Sequence, residues 1–235
     1  MSVQQWLGSG IAYIAHRGGD ADWPEDTAFA YSEAAAWNPR LALEVSVWPT
    51  LDGIWVVSED GTTGRVFDHD YDISKTRWST LATLRTRKGG YPMMRLIEDV
   101  LDKYGQDRVL FIDDKPSVAL NSFFNTLKPY NGQSRFVIKS YWKDAIMPPA
   151  AHDHGYKTWG YYYGQDMPSF ASTQSRFDLL GLDYAAPASA FATMKATGKP
   201  VIAHVIADQK AAQTVIGYDV AGMMVSGVRQ VVPAG

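Results

Sequence analysis

Residues 11–19, IAYIAHRGG, set the pattern that decides the fold. The apolar run Ile11–Ala15 predicts a buried strand, and the polar pair His16-Arg17 follows at its carboxyl end. The tandem glycines Gly18-Gly19 then indicate a tight turn that lets the backbone approach a ligand. A short apolar run that ends in polar residues recurs along the chain, and this repetition indicates the architecture.

Outward from this segment, strand-like runs alternate with helix-like stretches. Strands that alternate with helices predict parallel βαβ units, and eight such units in 235 residues predict a (β/α)8 TIM barrel. An open doubly wound sheet is the competing architecture. The eight predicted strands are Ile11–Ala15, Leu41–Val47, Val109–Ile112, Arg135–Ser140, Tyr156–Tyr161, Asp178–Leu182, Pro200–Ile206 and Val220–Val225.

Helical stretches fill most of the intervals between the strands. Ile54–Ser58 predicts a hairpin arm after the second strand, and Gly61–Gly90 predicts a long irregular insertion that is functional or mobile. We expect one barrel domain over residues 1–235. The predicted helices are Ala28–Trp37, Leu96–Tyr104, Ser117–Leu127, Lys143–His154 (broken by Pro148-Pro149), Ala188–Thr197 and Asp208–Tyr218.

Composition narrows the classes of function. The chain has no cysteine, 20% charged residues and a formal net charge of −3. The missing cysteine excludes a disulfide scaffold and a cysteine nucleophile. The weak acidic charge disfavours nucleic acid as a partner, and no apolar run approaches the roughly 20 residues of a transmembrane span. Met1–Ile14 lacks the features of a signal peptide, which leaves localisation open, and the chain also fits a domain of a larger protein or assembly.

The barrel interpretation predicts where the site lies. Active sites of this fold gather at the carboxyl ends of the strands, so the residues that end each run are expected on one rim. They combine a His-Arg pair, carboxylates and lysine, a set used in acid–base and metal chemistry. These residues are His16-Arg17, Glu44-Val45-Ser46, Asp113-Asp114-Lys115, Lys139-Ser140, Tyr161, Asp183, His204 and Ser226.

Ordered motifs along nearly the whole chain carry a family resemblance. They are His16-Arg17-Gly18-Gly19, Pro24-Glu25-Asp26-Thr27, Glu44-Val45-Ser46, Thr50 with Asp52-Gly53, Val56-Val57-Ser58-Glu59-Asp60, Leu96–Leu101, Ile112-Asp113-Asp114-Lys115 and Gly217–Gly222. In this order and spacing, the motifs resemble those of the glycerophosphodiester phosphodiesterase family. The family is a (β/α)8 barrel that hydrolyses phosphodiesters with a divalent cation and two histidines. The resemblance therefore implies a hydrolase that acts on a glycerophosphodiester or a related envelope or lipid head-group substrate.

Carried over position by position, the resemblance implies roles for the rim residues. His16 is the implied acid–base group, Arg17 and Lys115 bind the phosphate, and Glu44 and Asp113 hold a divalent cation, Mg²⁺ or Ca²⁺. Asp113 stands where the family has a glutamate ligand.

Three further positions depart from the family pattern. Ser46 stands where the family has an aspartate ligand, and a hydroxyl is a poor ligand for a hard cation. Glu59 stands where the family has its second histidine, and it suits a base better than an acid at neutral pH. His204 stands where an aromatic residue is common. With His16, Glu59 and His204 complete the predicted catalytic set.

Aromatic residues make up 13% of the chain and fall into two sets. Trp55, Phe111 and Phe136 lie within strands and are predicted core residues. A second set lies at or just beyond strand ends and predicts a platform for a sugar or lipid head group, with packing against the barrel helices as the alternative: Tyr141-Trp142, Trp159 and Tyr161-Tyr162-Tyr163. Two alternatives to the phosphodiesterase stay open: a catalytically silent barrel that binds glycans or glycerophosphoryl groups, and a glycoside hydrolase that uses Glu44, Glu59 or Asp113.

Overall fold

The structure, a computed structural model that describes residues 1–235, is built on a closed barrel of eight parallel strands. The first strand pairs with both the second and the last, so the barrel closes and the open-sheet alternative is excluded. One further strand, β3, runs antiparallel to β2 outside the barrel and is the predicted hairpin arm. The strands are β1 Ala12–Ala15, β2 Ala42–Pro49, β3 Trp55–Val57, β4 Leu110–Asp114, β5 Phe136–Tyr141, β6 Lys157–Tyr162, β7 Leu179–Asp183, β8 Val201–Ile206 and β9 Gly222–Val225.

Helices surround the barrel, and every predicted helical stretch contains one. The α-helices are α1 Val3–Leu7, α2 Ala28–Trp37, α3 Trp78–Leu81, α4 Asp102–Tyr104, α5 Leu120–Leu127, α6 Met147–Asp153, α7 Met167–Thr173, α8 Ala188–Lys195, α9 Gln209–Ile216 and α10 Val228–Val231. A π-helical segment, Leu96–Leu101, runs into α4. Short 3₁₀ turns lie at His16–Gly18, Ile73–Lys75, Lys128–Tyr130, Gly132–Ser134, Gly164–Asp166 and Gln174–Arg176.

One helix differs from its prediction. The sequence predicted that Pro148-Pro149 breaks a helix over Lys143–His154, whereas these prolines lie in the first turn of α6. The first turn tolerates proline because its N–H groups have no partner within the helix. Asp144 Oδ1 accepts hydrogen bonds from the backbone N–H groups of Ile146 and Met147 at 2.8 and 2.9 Å, which satisfies donors at the start of this helix.

The insertion after β3, residues 58–95, has a small apolar core of its own, and we call it the cap segment. Its backbone forms no regular strand, but isolated β-bridges join distant parts of it, such as Phe67 to Thr86 and Arg85 to Pro92. Because it is packed and cross-linked by backbone hydrogen bonds, the cap segment is an ordered part of the barrel mouth. The buried residues of this core are Phe67, Ile73, Leu81, Leu84 and Met93, together with Val56 of β3.

Inside the barrel, side chains alternate with those that face the helices, as the period of a strand requires. A lower apolar layer fills the interior, and α1 covers its lower end with Val3 and Trp6. Two residues further along the same strands, the inward-facing side chains form an upper layer that is polar or aromatic. The apolar core and the candidate site are therefore adjacent layers of the barrel interior. The lower layer contains Ala42, Phe111, Val137, Trp159 and Ile202, and the upper one Glu44, Asp113, Lys139, Tyr161 and His204.

No helix of the structure has the length and apolar content needed to cross a lipid bilayer.

Candidate active site at the barrel mouth

The turn after β1 brings a backbone donor into the mouth. Arg17 has a left-handed backbone (φ 49°), and its N–H donates to Glu44 Oε2 at 2.8 Å. Gly18 follows with φ 82°, and a Cβ there would lie 2.9 Å from the Cβ of Ala30. Only glycine fits this turn, because any side chain would collide with α2. The glycine pair of the sequence thus fixes the contact between Arg17 and Glu44.

Six charged side chains of alternating sign converge on the carboxyl end of the barrel, and we call them the mouth ring. Lys139 Nζ lies 2.7 Å from Glu44 Oε1 and 3.1 Å from Asp113 Oδ2. Lys115 Nζ contacts the same Asp113 oxygen at 3.1 Å. In order around the ring, the residues are Glu44, Lys139, Asp113, Lys115, Glu59 and Arg17.

The cap segment completes the mouth ring through Glu59. Lys115 Nζ lies 2.8 Å from Glu59 Oε1, and Arg17 Nη2 lies 3.3 Å from the same oxygen. The hydroxyl of Ser46 lies 2.8 Å from Glu59 Oε2 and 3.2 Å from Glu44 Oε1, so it links the two carboxylates across the ring. The structure therefore brings together every predicted phosphate-binding and metal-ligating residue of the rim, with Glu59 among them.

Burial and ion pairing set the protonation states of the ring. Burial alone would raise the pKa of Glu44, but the positive charges of Lys139 and His16 outweigh it and hold that pKa below its ordinary value. For Glu59, Lys139 and Lys115 likewise outweigh burial and lower the pKa. Burial disfavours the charged form of Lys139, yet the carboxylates of Glu44 and Asp113 keep its pKa above the usual value. Glu44 and Glu59 are thus carboxylates at neutral pH, and Lys139 is an ammonium.

His16, the predicted acid–base residue, lies at the edge of the mouth ring with a carboxylate behind it. Its Nδ1 lies 3.1 Å from Asp20 Oδ1. With Nδ1 facing a carboxylate, the imidazole has Nε2 left to exchange a proton with a ligand, which is the arrangement of a proton-transfer histidine. Asp20 is 24% exposed, so water shares access to this pair.

His204 lies deeper, among aromatic rings. Its Nε2 is 3.1 Å from the backbone carbonyl oxygen of Tyr162, and the residue is 4% exposed. Burial, and then the charge of Lys139, lower the pKa of His204 to about 3, so it is neutral at physiological pH. A neutral imidazole buried in this way donates one hydrogen bond, to the carbonyl oxygen of Tyr162, and packs in the same layer as Lys139. Its predicted catalytic role stays a prediction.

The predicted aromatic platform is only partly at the mouth. Tyr161 lies there, with Lys139 Nζ 5.1 Å from the centre of its ring, and burial raises the pKa of its hydroxyl to about 12. Trp159 does not: it is 1% exposed in the lower layer, because it lies one strand repeat below Tyr161. Trp142 stacks on the outward-facing Tyr162 with centroids 6.1 Å apart and faces the helices. Substrate contact by Trp159 and Trp142 is therefore not supported.

Two other tyrosines of the predicted platform also lie at the mouth. Tyr141 and Tyr163 surround Tyr161 with centroid distances of 5.3 and 6.3 Å, and Tyr163 is 40% exposed. The hydroxyl of Tyr141 donates to Asp166, which fixes its ring. The predicted core residues Trp55, Phe111 and Phe136 are buried as expected.

A cleft of about 240 Å³ opens beside the mouth ring, between the β1 turn and the cap segment. It shares Arg17 and Asp20 with the site described above. Four of its lining side chains are cationic and two are anionic, so it is suited to an anionic or polar ligand. The charged lining residues are Arg17, Asp20, Glu25, Arg65, Arg87 and Lys88.

The residues of the mouth do not fit the divalent cation that the family resemblance implies. Mg²⁺ and Ca²⁺ need six or more oxygen ligands at about 2.0–2.6 Å. Here Lys139 already bridges the two carboxylates, Glu44 and Asp113, and Ser46 offers a hydroxyl in place of a third. No group of three or more His, Cys, Asp or Glu side chains is arranged to hold an ion.

Two contacts of the site were not predicted from the sequence. The rim position of Lys139 was expected, but not its bridge between Glu44 and Asp113, which depends on the register of β2, β4 and β5. The contact of Asp20 with His16 depends on the 3₁₀ turn between them. The sequence does contain one indication of the Lys139 bridge. Ser46 stands where a carboxylate is expected, and Lys139 places a cation at the same rim.

Comparison with known proteins finds one matching family model and several similar structures. The model of the glycerophosphoryl diester phosphodiesterase family matches residues 16–149, which include the whole mouth ring. A phosphodiesterase from Oleispira antarctica, solved with the product sn-glycerol-3-phosphate, is similar with a TM-score of 0.77 and 19% identity, over 94% of each chain.

Two further solved structures share the fold. A glycerophosphoryl diester phosphodiesterase from Parabacteroides distasonis has a TM-score of 0.74 and 14% identity, over 96% of this chain and 88% of that one. A glycerophosphodiester phosphodiesterase from Thermotoga maritima has a TM-score of 0.71 and 18% identity, over 93% and 95%. At these identities the likeness establishes the fold alone.

Proposed function

Because this chain belongs to the glycerophosphoryl diester phosphodiesterase family, we propose that it hydrolyses a phosphodiester bond of a glycerophosphodiester or a related lipid head-group substrate at the barrel mouth. One observation carries the proposal: His16 follows β1 at the same barrel rim that carries three cations, Arg17, Lys115 and Lys139. The product sn-glycerol-3-phosphate in the Oleispira antarctica structure supports the substrate class.

In the proposed reaction, the cations of the mouth ring stabilise charge on the phosphoryl oxygens. Lys115 and Lys139 each donate one hydrogen bond to a carboxylate, that of Glu59 and of Glu44 respectively, and each ammonium also forms an ion pair with Asp113 Oδ2 at 3.1 Å. An ammonium has three N–H groups, so each lysine keeps donors for an oxygen of the substrate. Donors that are held in place before the substrate arrives need little reorganisation during the reaction, which is the usual source of electrostatic catalysis. The carboxylates therefore position the cations.

The proposal gives the proton transfers to His16 and Glu59. His16 donates from Nε2 to the leaving alcohol oxygen, and Asp20 is a positioning residue that holds the imidazole through Nδ1. Glu59 is ionised and so fits the base that accepts a proton from the attacking water or hydroxyl, and not the acid. His204 is neutral and hydrogen-bonded to backbone, so it receives no proton-transfer step.

The test is an assay of sn-glycerol 3-phosphate release from glycerophosphodiesters, together with p-nitrophenol release from a chromogenic phosphodiester. We expect His16→Ala to lower kcat by about 10²–10⁴-fold. Asp20→Asn should lower kcat by a smaller factor with little change in KM, because solvent partly replaces its carboxylate. His69→Ala removes an exposed histidine of the cap segment and is the matched control. A wild type inactive on all substrates, or a His16→Ala variant as active as wild type, would overturn the proposal.

A second candidate function is a barrel that binds glycerophosphoryl ligands or glycans without hydrolysing them. The observation that favours it is the cluster of Tyr141, Tyr161 and Tyr163 at the mouth, since such rings bind sugars and head groups through their faces. Saturable binding of sn-glycerol 3-phosphate by a protein with no turnover would support it. A glycoside hydrolase is disfavoured, because it needs a protonated carboxylic acid and Glu44 and Glu59 are both held ionised.

A further inference from the structure

Lys139 is the most buried cation of the mouth ring and is held on several sides. Its Nζ contacts Glu44 Oε1 at 2.7 Å and Asp113 Oδ2 at 3.1 Å, and its side chain is 6% exposed. The ring of Tyr161 lies against the ammonium at 5.1 Å. β5 delivers this lysine into the barrel interior between β4 and β6. The ammonium is therefore a built-in part of the site.

The position of this ammonium is the one that a bridging metal ion would take. An ion held by Glu44 Oε1 and Asp113 Oδ2 would lie about 2.0–2.6 Å from each oxygen. The Nζ of Lys139 already lies within 3.1 Å of both, so the lysine and an ion exclude each other. The charges agree with this assignment. Because Ser46 stands in place of a third carboxylate, only Glu44 and Asp113 would face the cation, and a monovalent ammonium then takes the place of a divalent ion.

We infer that the ammonium of Lys139 takes the place and the electrostatic task of a divalent cation, so that this chain binds its phosphoryl ligand without a metal ion. The inference deepens the proposed function, on which it rests for the identity of the ligand. Lys139 and Lys115 share the same Asp113 oxygen, which puts two ammonium groups within reach of one phosphoryl group. The anion is bound by N–H groups of each lysine that make no hydrogen bond to a carboxylate, and by Arg17.

The first arm of the test measures binding of sn-glycerol 3-phosphate by calorimetry in EDTA, in Mg²⁺ and in Ca²⁺. The wild type is expected to bind with a Kd that agrees within about twofold across the three conditions. Lys139→Gln should weaken binding in EDTA by about tenfold or more, because a charge-assisted hydrogen bond is lost. Lys157→Gln removes an exposed lysine at the other end of the barrel and is the control. Binding by wild type that is tenfold weaker in EDTA than in Ca²⁺ overturns the inference.

The second arm measures an ion directly, by terbium luminescence sensitised through the neighbouring tyrosine rings. We expect no saturable Tb³⁺ binding at the mouth of wild type. Lys139→Gln should create one site, and adding Glu44→Gln should remove it again. Saturable Tb³⁺ binding by wild type that Glu44→Gln abolishes overturns the inference. The wild-type measurements need no variant, so they decide the matter even when Lys139→Gln weakens folding.

The two arms also separate this inference from the proposed function. A wild type that hydrolyses its substrate only with Ca²⁺ or Mg²⁺ supports the phosphodiesterase and overturns the role of Lys139. A wild type that neither binds Tb³⁺ nor hydrolyses any phosphodiester overturns the phosphodiesterase, while the assignment of Lys139 as the resident cation stands.

Discussion

Arg17 serves the mouth ring with both its backbone and its side chain. Its N–H donates to Glu44, while its guanidinium contacts Glu25 at 2.9 Å and Glu59 at 3.3 Å. A non-glycine residue at positive φ costs of order 1 kcal/mol, and the hydrogen bond to a fully buried carboxylate offsets that cost. The strained turn therefore links the loop after β1, which includes Glu25, to Glu44 of β2 and Glu59 of the cap segment.

Neighbouring aspartates at the end of β4 have different environments. Asp113 points into the mouth and contacts two ammonium groups, whereas Asp114 points away from it and has no cation among its partners. Burial, together with the negative charges of Asp113 and Asp144, raises the pKa of Asp114 to about 7. Its contacts come from Ser117, whose N–H donates to Oδ1 at 3.3 Å, while Oδ2 has no hydrogen bond.

Asp114→Asn is therefore expected to stabilise the protein at neutral and alkaline pH. The folded carboxyl keeps its proton up to about pH 7, whereas the unfolded one loses it near 3.8, so between these values the folded state binds more protons and wild-type stability falls as pH rises. The variant lacks this loss. Its advantage in the free energy of unfolding should grow from pH 4 to pH 7, reach about 2–4 kcal/mol and then level off.

Denaturant unfolding at several pH values measures this difference between Asp114→Asn and wild type. Asp153→Asn, an exposed aspartate at the end of α6, is the control for loss of a surface carboxylate. A difference between Asp114→Asn and wild type that stays constant from pH 4 to pH 8 would contradict the prediction.

At the level of elements, the strands were predictable and the depth of each side chain along them was not. Every predicted strand exists, with ends shifted by one or two residues, because short apolar runs between polar residues identify buried strands. Inward-facing residues repeat every second position, so the sequence cannot tell a core layer from a rim layer. That is why the sequence predicts Trp159 at the mouth with Tyr161, whereas Trp159 lies one repeat below Tyr161.

β6 depends on a close approach that only glycine allows. At Gly160, which faces the helices, a Cβ would lie 2.3 Å from the ring of Phe177, a buried residue just before β7. Gly160→Ala should therefore lower the free energy of unfolding by about 1–3 kcal/mol, because the ring must move bodily in a packed layer.

Thermal unfolding checks this prediction, with a fall in Tm of about 2–4 °C expected per kcal/mol for a chain of this size. The matched control is Gly164→Ala just beyond the same strand, where the nearest atom to a new Cβ is 3.7 Å away and the cost should be small. Equal melting temperatures for the two alanine variants would show that Phe177 has room to move.

Over the whole molecule, the first part of the chain supplies the charged residues of the candidate site and the later strands supply its aromatic residues. The sequence predicts the positions of the charged residues better than those of the aromatic ones. All six residues of the mouth ring lie within the family-matched residues 16–149, and most were predicted from the resemblance. The later strands supply Tyr161, Tyr163 and His204, whose positions depend on tertiary packing. The ion pairs of Lys139 with Glu44 and Asp113 join three strands. They could not be predicted from the sequence, because they depend on the register of these strands, which no local sequence pattern encodes.

Acid is expected to unfold the protein through groups that lie around the mouth. Glu44 and Glu59 have lowered pKa values in the folded state, so their stabilisation is complete above about pH 4.5 and is lost as pH falls through the folded values. His204 acts in the same direction over a wider range, because its pKa is about 3 when folded and 6.5 when unfolded. The free energy of unfolding should therefore fall steeply below pH 4.5.

His204→Phe isolates the histidine's share of this acid sensitivity. Phenylalanine takes no proton and suits a site among Trp159, Tyr161 and Tyr163, at the cost of one hydrogen bond to Tyr162. Relative to wild type, the variant should gain stability as pH falls from 6.5 toward 3, by up to about 5 kcal/mol. Denaturant titrations at pH 7, 5, 4 and 3 measure the gain. Parallel stability curves for the two proteins would mean that the folded state accommodates a charged imidazole at this position.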